Sequence, residues 1–261
     1  MTVFVADSHV ASAVVPSPNH GARPGRGRPD MIVVHYTGMT DAEAALERLC
    51  APESKVSAHY VVFEDGRVVQ CVAEARRAWH AGVSSWEGES DVNSRSIGIE
   101  ICNPGHDFGA PDFPEIQIAA VIALGRDILA RRAIRADRIV GHSDVAPGRK
   151  NDPGEKFPWR RLHAAGIGHW VEPVEIDEAR GLVLGDDGAE VLALQRALAA
   201  YGYGLAASAR YDAATRDVVV AFQRHFRPSR VDGIADPSTI ATLRRLRAAR
   251  DGAGVPPARE C

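Results

Sequence analysis

The feature that most constrains the fold is the apolar run MIVVHYTG, from Met31 to Gly38. A short run of β-branched residues that ends at a glycine is typical of a strand buried inside a sheet. We therefore predict a central strand here, with His35 near its carboxyl end. Because ligands often bind at the carboxyl ends of strands in open sheets, His35 is a candidate site residue.

Helical and extended patterns alternate around this strand. The residues before it, from Pro16 to Asp30, are rich in Pro, Gly and Arg and are predicted to hold no regular element. Asp41 to Leu49 predicts a short helix with an acidic start, and two apolar runs around Asp65 and Gly66 predict a β-hairpin. Apolar residues at helical spacing predict a long helix from Pro114 to Arg132, and RIVGH predicts a further strand.

The segment SIGIEIC places a carboxylate in the middle of a predicted strand. Its isoleucines alternate with Gly98 and Glu100, and side chains along a strand point to opposite faces in turn. Glu100 is therefore predicted to lie on the face opposite the isoleucines. A carboxylate there is either exposed to solvent or directed into a cleft, and the strand alone leaves both possibilities open.

Three residues that carry chemistry occur together in VGHSDVAPGRKNDPG, from Val140 to Gly154. His142 and Asp152 offer a nitrogen and an oxygen ligand of the kinds that zinc accepts, and Lys150 adds a cation two residues before the carboxylate. Proline and glycine in this segment predict a fixed loop after a strand rather than a helix. Such a loop can direct several ligands at one point.

His35, His142 and Asp152 together form a set of two histidines and one carboxylate. Catalytic zinc sites commonly use three protein ligands and leave a fourth position for water or substrate. In such a site Glu100 would act as the general base and Lys150 as the cation that stabilises the oxyanion. The pattern predicts a zinc amidohydrolase. Taken alone, Glu100 is more simply explained as a solvent-exposed strand carboxylate, and Lys150 as part of a solvated turn.

Two other hydrolase mechanisms fit the sequence less well. Ser143 lacks the G-x-S-x-G turn that exposes a serine nucleophile. Cys102 would be the nucleophile of a cysteine hydrolase, but it lies inside a predicted strand rather than at a helix N-terminus, where a thiolate is stabilised. His80 follows Trp79 in the segment AWHAG and is predicted to line a cleft.

Charge and composition argue against several partners and compartments. The net charge of −3 and the pI near 6.4 favour neither nucleic acid nor an anionic membrane surface. The opening MTVFVADSHVASAVV has no positively charged start and no unbroken apolar stretch, so we predict neither a signal peptide nor a membrane span. This predicts a cytoplasmic protein, with the periplasm or cell envelope as the alternative if the N-terminus is misassigned. The four scattered cysteines favour reduced thiols.

A change in composition marks a second domain. Val171 to Arg180 is acidic and non-periodic, as expected of a linker, and three helical patterns follow it. Three short helices form a compact bundle of about seventy residues. We predict an irregular segment at 1–30, a catalytic domain at 31–172, a linker at 173–181, a helical domain at 182–248 and a disordered tail at 249–261.

Six motifs, in order, resemble those of the type 2 N-acetylmuramoyl-L-alanine amidase family. The resemblance covers roughly Pro16 to Trp170, and the motifs are SPNHGAR, IVVHYTGM, VSAHYVV, RAWHAG, NSRSIGIEI, and VGHSDVAPGRKNDPG followed by FPW. The family includes bacterial recycling amidases, phage lysozyme-type amidases and animal peptidoglycan-recognition proteins. The resemblance implies a mixed α/β fold in which helices flank a central β-sheet, with one zinc ion per chain.

The resemblance also implies a role for each candidate residue. His35, His142 and Asp152 become the zinc ligands, Glu100 the catalytic carboxylate and Lys150 the oxyanion stabiliser. Substrate contacts are predicted for five residues within the shared motifs: Tyr36, His59, Trp79, His80 and Asn93.

Two positions separate this chain from the phage members of the family. Their third ligand is a cysteine where Asp152 stands, and they carry a tyrosine where Ala58 stands. The bacterial amidases are therefore the more similar branch.

The C-terminal region resembles the peptidoglycan-binding type 1 domain, which is a three-helix module. The resemblance rests on VLALQRALAAYGY, YDAATRDVVVAFQRHF and VDGIADPSTIATL, although RPSRVDG stands where a glycine-containing bend is usual. It implies that the module binds the cell wall. A helical bundle used only for packing or partner contact is the alternative.

Motifs and resemblance together predict a zinc-dependent N-acetylmuramoyl-L-alanine amidase that acts in cell-wall turnover or recycling. It would hydrolyse the amide between the lactyl group of N-acetylmuramic acid, or its 1,6-anhydro form, and the L-alanine of the stem peptide. The predicted partners are peptidoglycan or muropeptides. A non-catalytic muropeptide receptor is the alternative from another class, but such receptors usually lose a ligand, and this chain retains all three.

Overall fold

The computed structural model describes residues 4–24, 27–176 and 178–253. Within them a mixed six-stranded sheet has the order β1-β5-β4-β7-β3-β8, and β2 and β6 form a separate antiparallel pair. The strands are β1 (Ala13–Val14), β2 (His20–Ala22), β3 (Met31–Tyr36), β4 (Tyr60–Val62), β5 (Val68–Gln70), β6 (Arg76–Ala78), β7 (Ser96–Ile101) and β8 (Ile139–Gly141). The helices are α1 (Ala42–Cys50), α2 (Val92–Arg95), α3 (Glu115–Arg131), α4 (His142–Val145), α5 (Trp159–Ala164), α6 (Ala189–Tyr201), α7 (Ala213–Phe226) and α8 (Pro237–Ala253). The predicted α/β fold class is confirmed.

The strand β3 lies between two parallel neighbours, β7 and β8. Its residues from Met31 to Val34 are buried, which confirms the predicted central strand. The strand β8 ends at Gly141, immediately before His142. Because parallel strands end at the same edge of a sheet, this arrangement brings the carboxyl ends of β3, β7 and β8 together.

The strand β7 separates the apolar core from the site. Its three isoleucines are buried in one apolar cluster with residues of α3, including Ile118 and Leu124. Glu100 is the register partner of His35 on β3, and register partners on parallel strands point to the same face. Glu100 therefore lies on the sheet face opposite the isoleucines, as its alternation with them predicts.

The remaining local predictions in this domain are largely confirmed. The helix α1 begins after Asp41, whose side chain accepts hydrogen bonds from the backbone N–H groups of Glu43 and Ala44. The strands β4 and β5 form the predicted antiparallel hairpin. No helix within the described ranges is long and apolar enough to cross a membrane.

Two local predictions in the catalytic domain and the segment before it are wrong. The segment from Pro16 to Asp30 contains β2, and β1 precedes it, because pairing with β6 and β5 supplies hydrogen bonds that the local sequence does not reveal. The loop from Val140 to Gly154 contains one helical turn, α4. The turn is closed by Asp144, whose Oδ2 accepts a hydrogen bond of 2.7 Å from the backbone N–H of Gly141.

The helices α6, α7 and α8 form the C-terminal module, residues 182–253, and confirm the predicted three-helix domain. The described residues between 173 and 181 hold no helix or strand. They nevertheless pack on α8, because Val174 exchanges hydrogen bonds with the side chains of Thr242 and Ser238. The predicted disordered tail is wrong for 249–253, which continue α8, and its residues 254–261 lie outside the described residues.

Candidate metal centre and active site

Two histidines and one aspartate converge at the carboxyl ends of β3 and β8. The Nδ1 atoms of His35 and His142 lie 2.9 Å apart, and Asp152 Oδ2 lies 3.0 Å from each of them. His35 belongs to β3, His142 begins α4, and Asp152 lies on the loop that follows α4. All three side chains are buried. The predicted ligand set therefore forms one compact cluster able to hold a metal ion.

A chain of hydrogen bonds fixes the position of the proton on His35. Ser96 Oγ donates to the backbone carbonyl of Val92 (2.7 Å), so the same oxygen accepts from His80 Nε2 (3.1 Å). The Nδ1 atom of His80 then carries no proton and accepts a hydrogen bond from His35 Nε2 (3.0 Å). The unprotonated nitrogen of His35 is therefore Nδ1, the atom that faces the cluster.

The other members of the cluster also present lone pairs to its centre. His142 Nε2 donates to the backbone carbonyl of Ala81 (3.0 Å), which leaves its Nδ1 unprotonated. Burial, together with the nearby His142, lowers the pKa of His35 to about 4, so the His35 ring is neutral at neutral pH. Lone pairs this close repel one another unless a cation lies among them. Two imidazole nitrogens and a carboxylate oxygen are ligands that fit zinc.

Glu100 stands beside the cluster on the neighbouring strand. Its Oε2 atom is buried and has no hydrogen-bond partner among the described residues. Burial raises the pKa of Glu100 well above its ordinary value, the charge of Asp152 raises it further, and the charge of Lys150 lowers it. A carboxyl group with a raised pKa is suited to accept and return a proton near neutral pH.

A cavity of about 460 Å³ lies over the cluster. Glu100 and Lys150 line it together with the three cluster residues, so the structure brings together every residue that the sequence predicts for metal binding and catalysis. Three of the predicted substrate contacts line it as well: Tyr36, Trp79 and His80.

His59 and Asn93 are also predicted substrate contacts, but the structure does not place them on the cavity wall. His59 is buried, and its Nδ1 accepts a hydrogen bond from the backbone N–H of Gly98 in β7 (2.9 Å). Asn93 Oδ1 accepts from the backbone N–H groups of His80 (3.0 Å) and Ala81 (2.8 Å). Both side chains therefore hold the segments that line the cavity and do not line it themselves.

Arg149 lines the same cavity and was not among the predicted site residues. Its Nη2 donates to the backbone carbonyls of Ala81 (2.6 Å) and Val83 (2.7 Å). The Ala81 carbonyl is the group that also accepts from His142 Nε2. In the sequence, its position directly before Lys150 is the feature that could have identified Arg149 as a site residue.

Cys102 lies in a different environment from the cavity. It is buried in an apolar cluster with Leu46, Val61 and Phe63. Burial raises the pKa of its thiol, which therefore stays protonated at neutral pH. This placement disfavours the alternative of a cysteine hydrolase.

Two family models match the chain. The N-acetylmuramoyl-L-alanine amidase family matches residues 25–155, and a peptidoglycan binding domain family matches residues 187–243. The N-acetylmuramoyl-L-alanine amidase AmiD of Escherichia coli (strain K12) is 36% identical over 231 residues, which cover 83% of this chain and 81% of AmiD. The 1,6-anhydro-N-acetylmuramyl-L-alanine amidase AmpD of Enterobacter cloacae is 37% identical over 167 residues, which cover 58% of this chain and 87% of AmpD.

Solved structures extend the similarity over both domains. AmiD from E. coli, in complex with anhydro-N-acetylmuramic acid-L-Ala-D-γ-Glu-L-Lys, matches with a TM-score of 0.73 and 36% identity, covering 87% of this chain and 92% of that chain. AmpDh3 from Pseudomonas aeruginosa, in complex with an anhydromuramic pentapeptide, matches with a TM-score of 0.70 and 32% identity, covering 96% of this chain and 99% of that chain.

The mixed sheet and the loop after α4 bring two histidines, an aspartate, a glutamate and a lysine to one cavity, and with the family match this site is that of an amide hydrolase. The chain belongs to the N-acetylmuramoyl-L-alanine amidase family and carries a C-terminal peptidoglycan binding domain. The predicted enzyme class and both predicted family resemblances are confirmed.

Proposed function

We propose that this amidase works with one zinc ion held by His35 Nδ1, His142 Nδ1 and Asp152 Oδ2. The observation that carries the proposal is the convergence of these three atoms within 3.0 Å of one another, with the proton of each ring fixed on its outer nitrogen. Zinc held by three such ligands keeps a fourth position for water or substrate.

The substrate class follows from the solved complexes of the relatives. The AmiD and AmpDh3 structures each hold an anhydromuramyl peptide. We infer that this chain binds peptidoglycan or soluble muropeptides. The bond cleaved is the amide between the lactyl group of N-acetylmuramic acid, or its 1,6-anhydro form, and L-alanine.

Glu100 is assigned as the residue that moves the proton. A zinc ion held by His35, His142 and Asp152 would supply Lewis acidity toward the amide carbonyl. Glu100 takes a proton from the attacking water and later gives it to the amine of the leaving L-alanine. Its unpartnered Oε2 atom and its raised pKa both support this assignment.

Lys150 is assigned as the cation that stabilises the tetrahedral intermediate. It lines the cavity, and its charge acts on both Glu100 and His35, since it lowers the pKa of each. A positive charge at this position offsets the negative charge that develops on the carbonyl oxygen.

Tyr36 and Trp79 are assigned as contact residues for the muropeptide because both line the cavity. The Tyr36 hydroxyl is already hydrogen-bonded to His106 Nδ1 (3.0 Å), so its ring is the surface it offers. Both nitrogens of His80 are occupied by His35 and Ser96. We therefore infer that His80 orients the His35 ring, in addition to lining the cavity.

The C-terminal module is assigned to binding of peptidoglycan, as its family implies. The compartment stays a prediction: cytoplasmic from the opening residues, with the periplasm or cell envelope as the alternative. Fractionation of the cell of origin, with detection of the chain in each fraction, tests it.

Metal analysis tests the proposal directly. After gentle purification we expect about one zinc per chain, loss of amidase activity on chelation, and recovery when zinc is returned. Full activity in a chain from which zinc has been removed would contradict the proposal. Zinc content that is unchanged by replacing both His35 and His142 with alanine would contradict the assigned ligands.

A further inference from the structure

A buried carboxylate, Asp144, connects the metal-ligand turn to the C-terminal module. Its Oδ1 accepts a hydrogen bond from the hydroxyl of Tyr203 (2.7 Å). Its Oδ2 accepts from His225 Nδ1 (2.6 Å) and from the backbone N–H of Gly141 (2.7 Å). Asp144 is fully buried, and Tyr203 and His225 are each 2% exposed. The carboxylate thus depends on two side chains of the module.

The turn that carries Asp144 also carries the metal ligand His142. Both belong to α4, whose N-terminus is closed by the hydrogen bond from Gly141 to Asp144. The backbone N–H of Ser143, between them, donates to the backbone carbonyl of Asp152 (2.8 Å). Movement of the Asp144 carboxylate would therefore change the position of two of the three ligands.

The two module side chains are themselves fixed by packing against the catalytic domain. The Tyr203 ring meets the Trp86 ring edge-on at 5.0 Å between centroids, and the His225 ring stacks on Trp159 at 3.8 Å. The main chain approaches Trp86 closely at Gly202, where a Cβ atom would lie 2.6 Å from the indole ring. Both donors to Asp144 are thus held at defined positions.

Burial makes these hydrogen bonds consequential. A carboxylate removed from water is stable only when its oxygens are satisfied by donors. Loss of Tyr203 leaves Asp144 Oδ1 without a donor, and loss of His225 leaves Oδ2 with only the backbone N–H of Gly141. In either case the carboxylate stays short of donors or shifts α4 to find a new partner. A shift of α4 would change the distances from His142 to His35 and Asp152.

We propose that Tyr203 and His225 of the peptidoglycan binding domain are positioning residues for the metal centre, acting through Asp144. The inference rests on the proposed zinc site. It gives the C-terminal module a second role besides wall binding, because the module completes the support of the catalytic turn.

The test uses the full chain and measures zinc affinity by competition with a chromophoric chelator, alongside kcat and KM. Tyr203→Phe and His225→Leu each remove one donor to Asp144, and we expect each to weaken zinc binding about tenfold and to lower kcat more than it changes KM. His225→Asn keeps an N–H near the position of Nδ1. It should restore most of the affinity that His225→Leu loses.

Tyr211→Phe is the matched control. Tyr211 is also fully buried and also donates one hydrogen bond, but to the backbone carbonyl of Gly233 inside the module (2.8 Å). We expect it to lower the unfolding temperature while leaving zinc affinity at the wild-type value. Equal loss of zinc affinity in Tyr211→Phe and Tyr203→Phe would overturn the inference, because it would reveal general destabilisation of the module.

The remaining outcomes separate this inference from the proposed function. A wild-type chain that binds zinc and cleaves the amide, with Tyr203→Phe and His225→Leu equal to it in zinc affinity, overturns the inference alone. A wild-type chain that binds no zinc overturns both. If Tyr203→Phe does not fold, the comparison of His225→Leu with His225→Asn decides, and equal zinc affinity in those two variants counts against the inference.

Discussion

His35 and Glu100 are register partners on the adjacent parallel strands β3 and β7. The pairing fixes the separation of the proposed metal ligand and the proposed proton-transfer carboxylate through main-chain hydrogen bonds, so neither depends on a flexible loop. Rigid elements hold reacting groups more accurately than loops do. This relationship makes the function of Glu100 separable from metal binding.

Glu100→Gln should abolish proton transfer and leave the metal centre intact. The amide cannot accept a proton from water, so we expect kcat to fall about 100- to 10,000-fold. Zinc content should stay at the wild-type level, because the three ligands are unchanged. The measurement is steady-state hydrolysis of a muropeptide with metal analysis of the same sample, and a near wild-type kcat would refute the assigned role.

Lys150→Met should remove the cation that is proposed to stabilise the oxyanion. We expect kcat to fall about 100- to 1000-fold, as for the loss of one oxyanion donor, with a smaller change in KM. Lys156→Met is the control, because Lys156 pairs with Asp112 (3.2 Å) and does not line the cavity. Equal effects of the two substitutions would show that net charge, and not the position of Lys150, matters.

His80→Phe should weaken zinc binding because it removes the acceptor that orients His35. Loss of a hydrogen-bond partner to a metal-ligating histidine costs about 10- to 100-fold in metal affinity. His163→Gln serves as the control, since His163 is an exposed histidine away from the cavity. The readout is zinc affinity by chelator competition, and unchanged affinity in His80→Phe would exclude the proposed orienting hydrogen bond.

Glu74→Gln should reduce stability at neutral pH but not in acid. Burial alone would raise the pKa of Glu74, but hydrogen bonds from Arg131, Tyr60 and Arg132 outweigh it and lower the pKa below its ordinary value. The ionised form therefore stabilises the fold above the unfolded pKa, and this contribution is lost as pH falls through the folded pKa. We expect a loss of about 3 kcal/mol at neutral pH, typical of a broken buried ion pair.

Urea unfolding across a pH series measures this difference between wild type and Glu74→Gln. Glu43→Gln is the control, because the ion pair of Glu43 with Arg67 is exposed and should contribute little. A difference between wild type and Glu74→Gln that stayed constant into acid would show that packing, and not the carboxylate charge, causes the loss.

The elements that the sequence predicts well are those whose signal is local. The buried strand with His35, the alternation around Glu100 and the long helix α3 follow from hydrophobic periodicity within a few residues. The candidate ligand cluster was predictable as well, because two histidines and an aspartate are an uncommon combination of possible zinc ligands. That these side chains meet in space follows from the strand order, which places β3 beside β8.

The support of the site was not predictable from the sequence because its partners are distant along the chain. Ser96 fixes which nitrogen of His80 carries the proton, and the two residues are 16 positions apart in the sequence. Asp144 receives both of its side-chain hydrogen bonds from Tyr203 and His225, which follow it by 59 and 81 residues. The helical turn α4 was missed for a different reason, since proline and glycine in the segment indicate a loop.

Mass analysis of reaction products tests the central claim most directly. Intact sacculi and a soluble anhydromuramyl peptide are incubated side by side with the wild-type chain and with Glu100→Gln. We predict that the wild type releases a stem peptide with a free L-alanine amino terminus and leaves the muramyl lactyl group as a carboxylic acid. Wild-type enzyme treated with a chelator, and the Glu100→Gln variant, should release no stem peptide from either substrate. An uncleaved lactyl–alanine amide in both substrates, or cleavage that persists without zinc, would contradict the account.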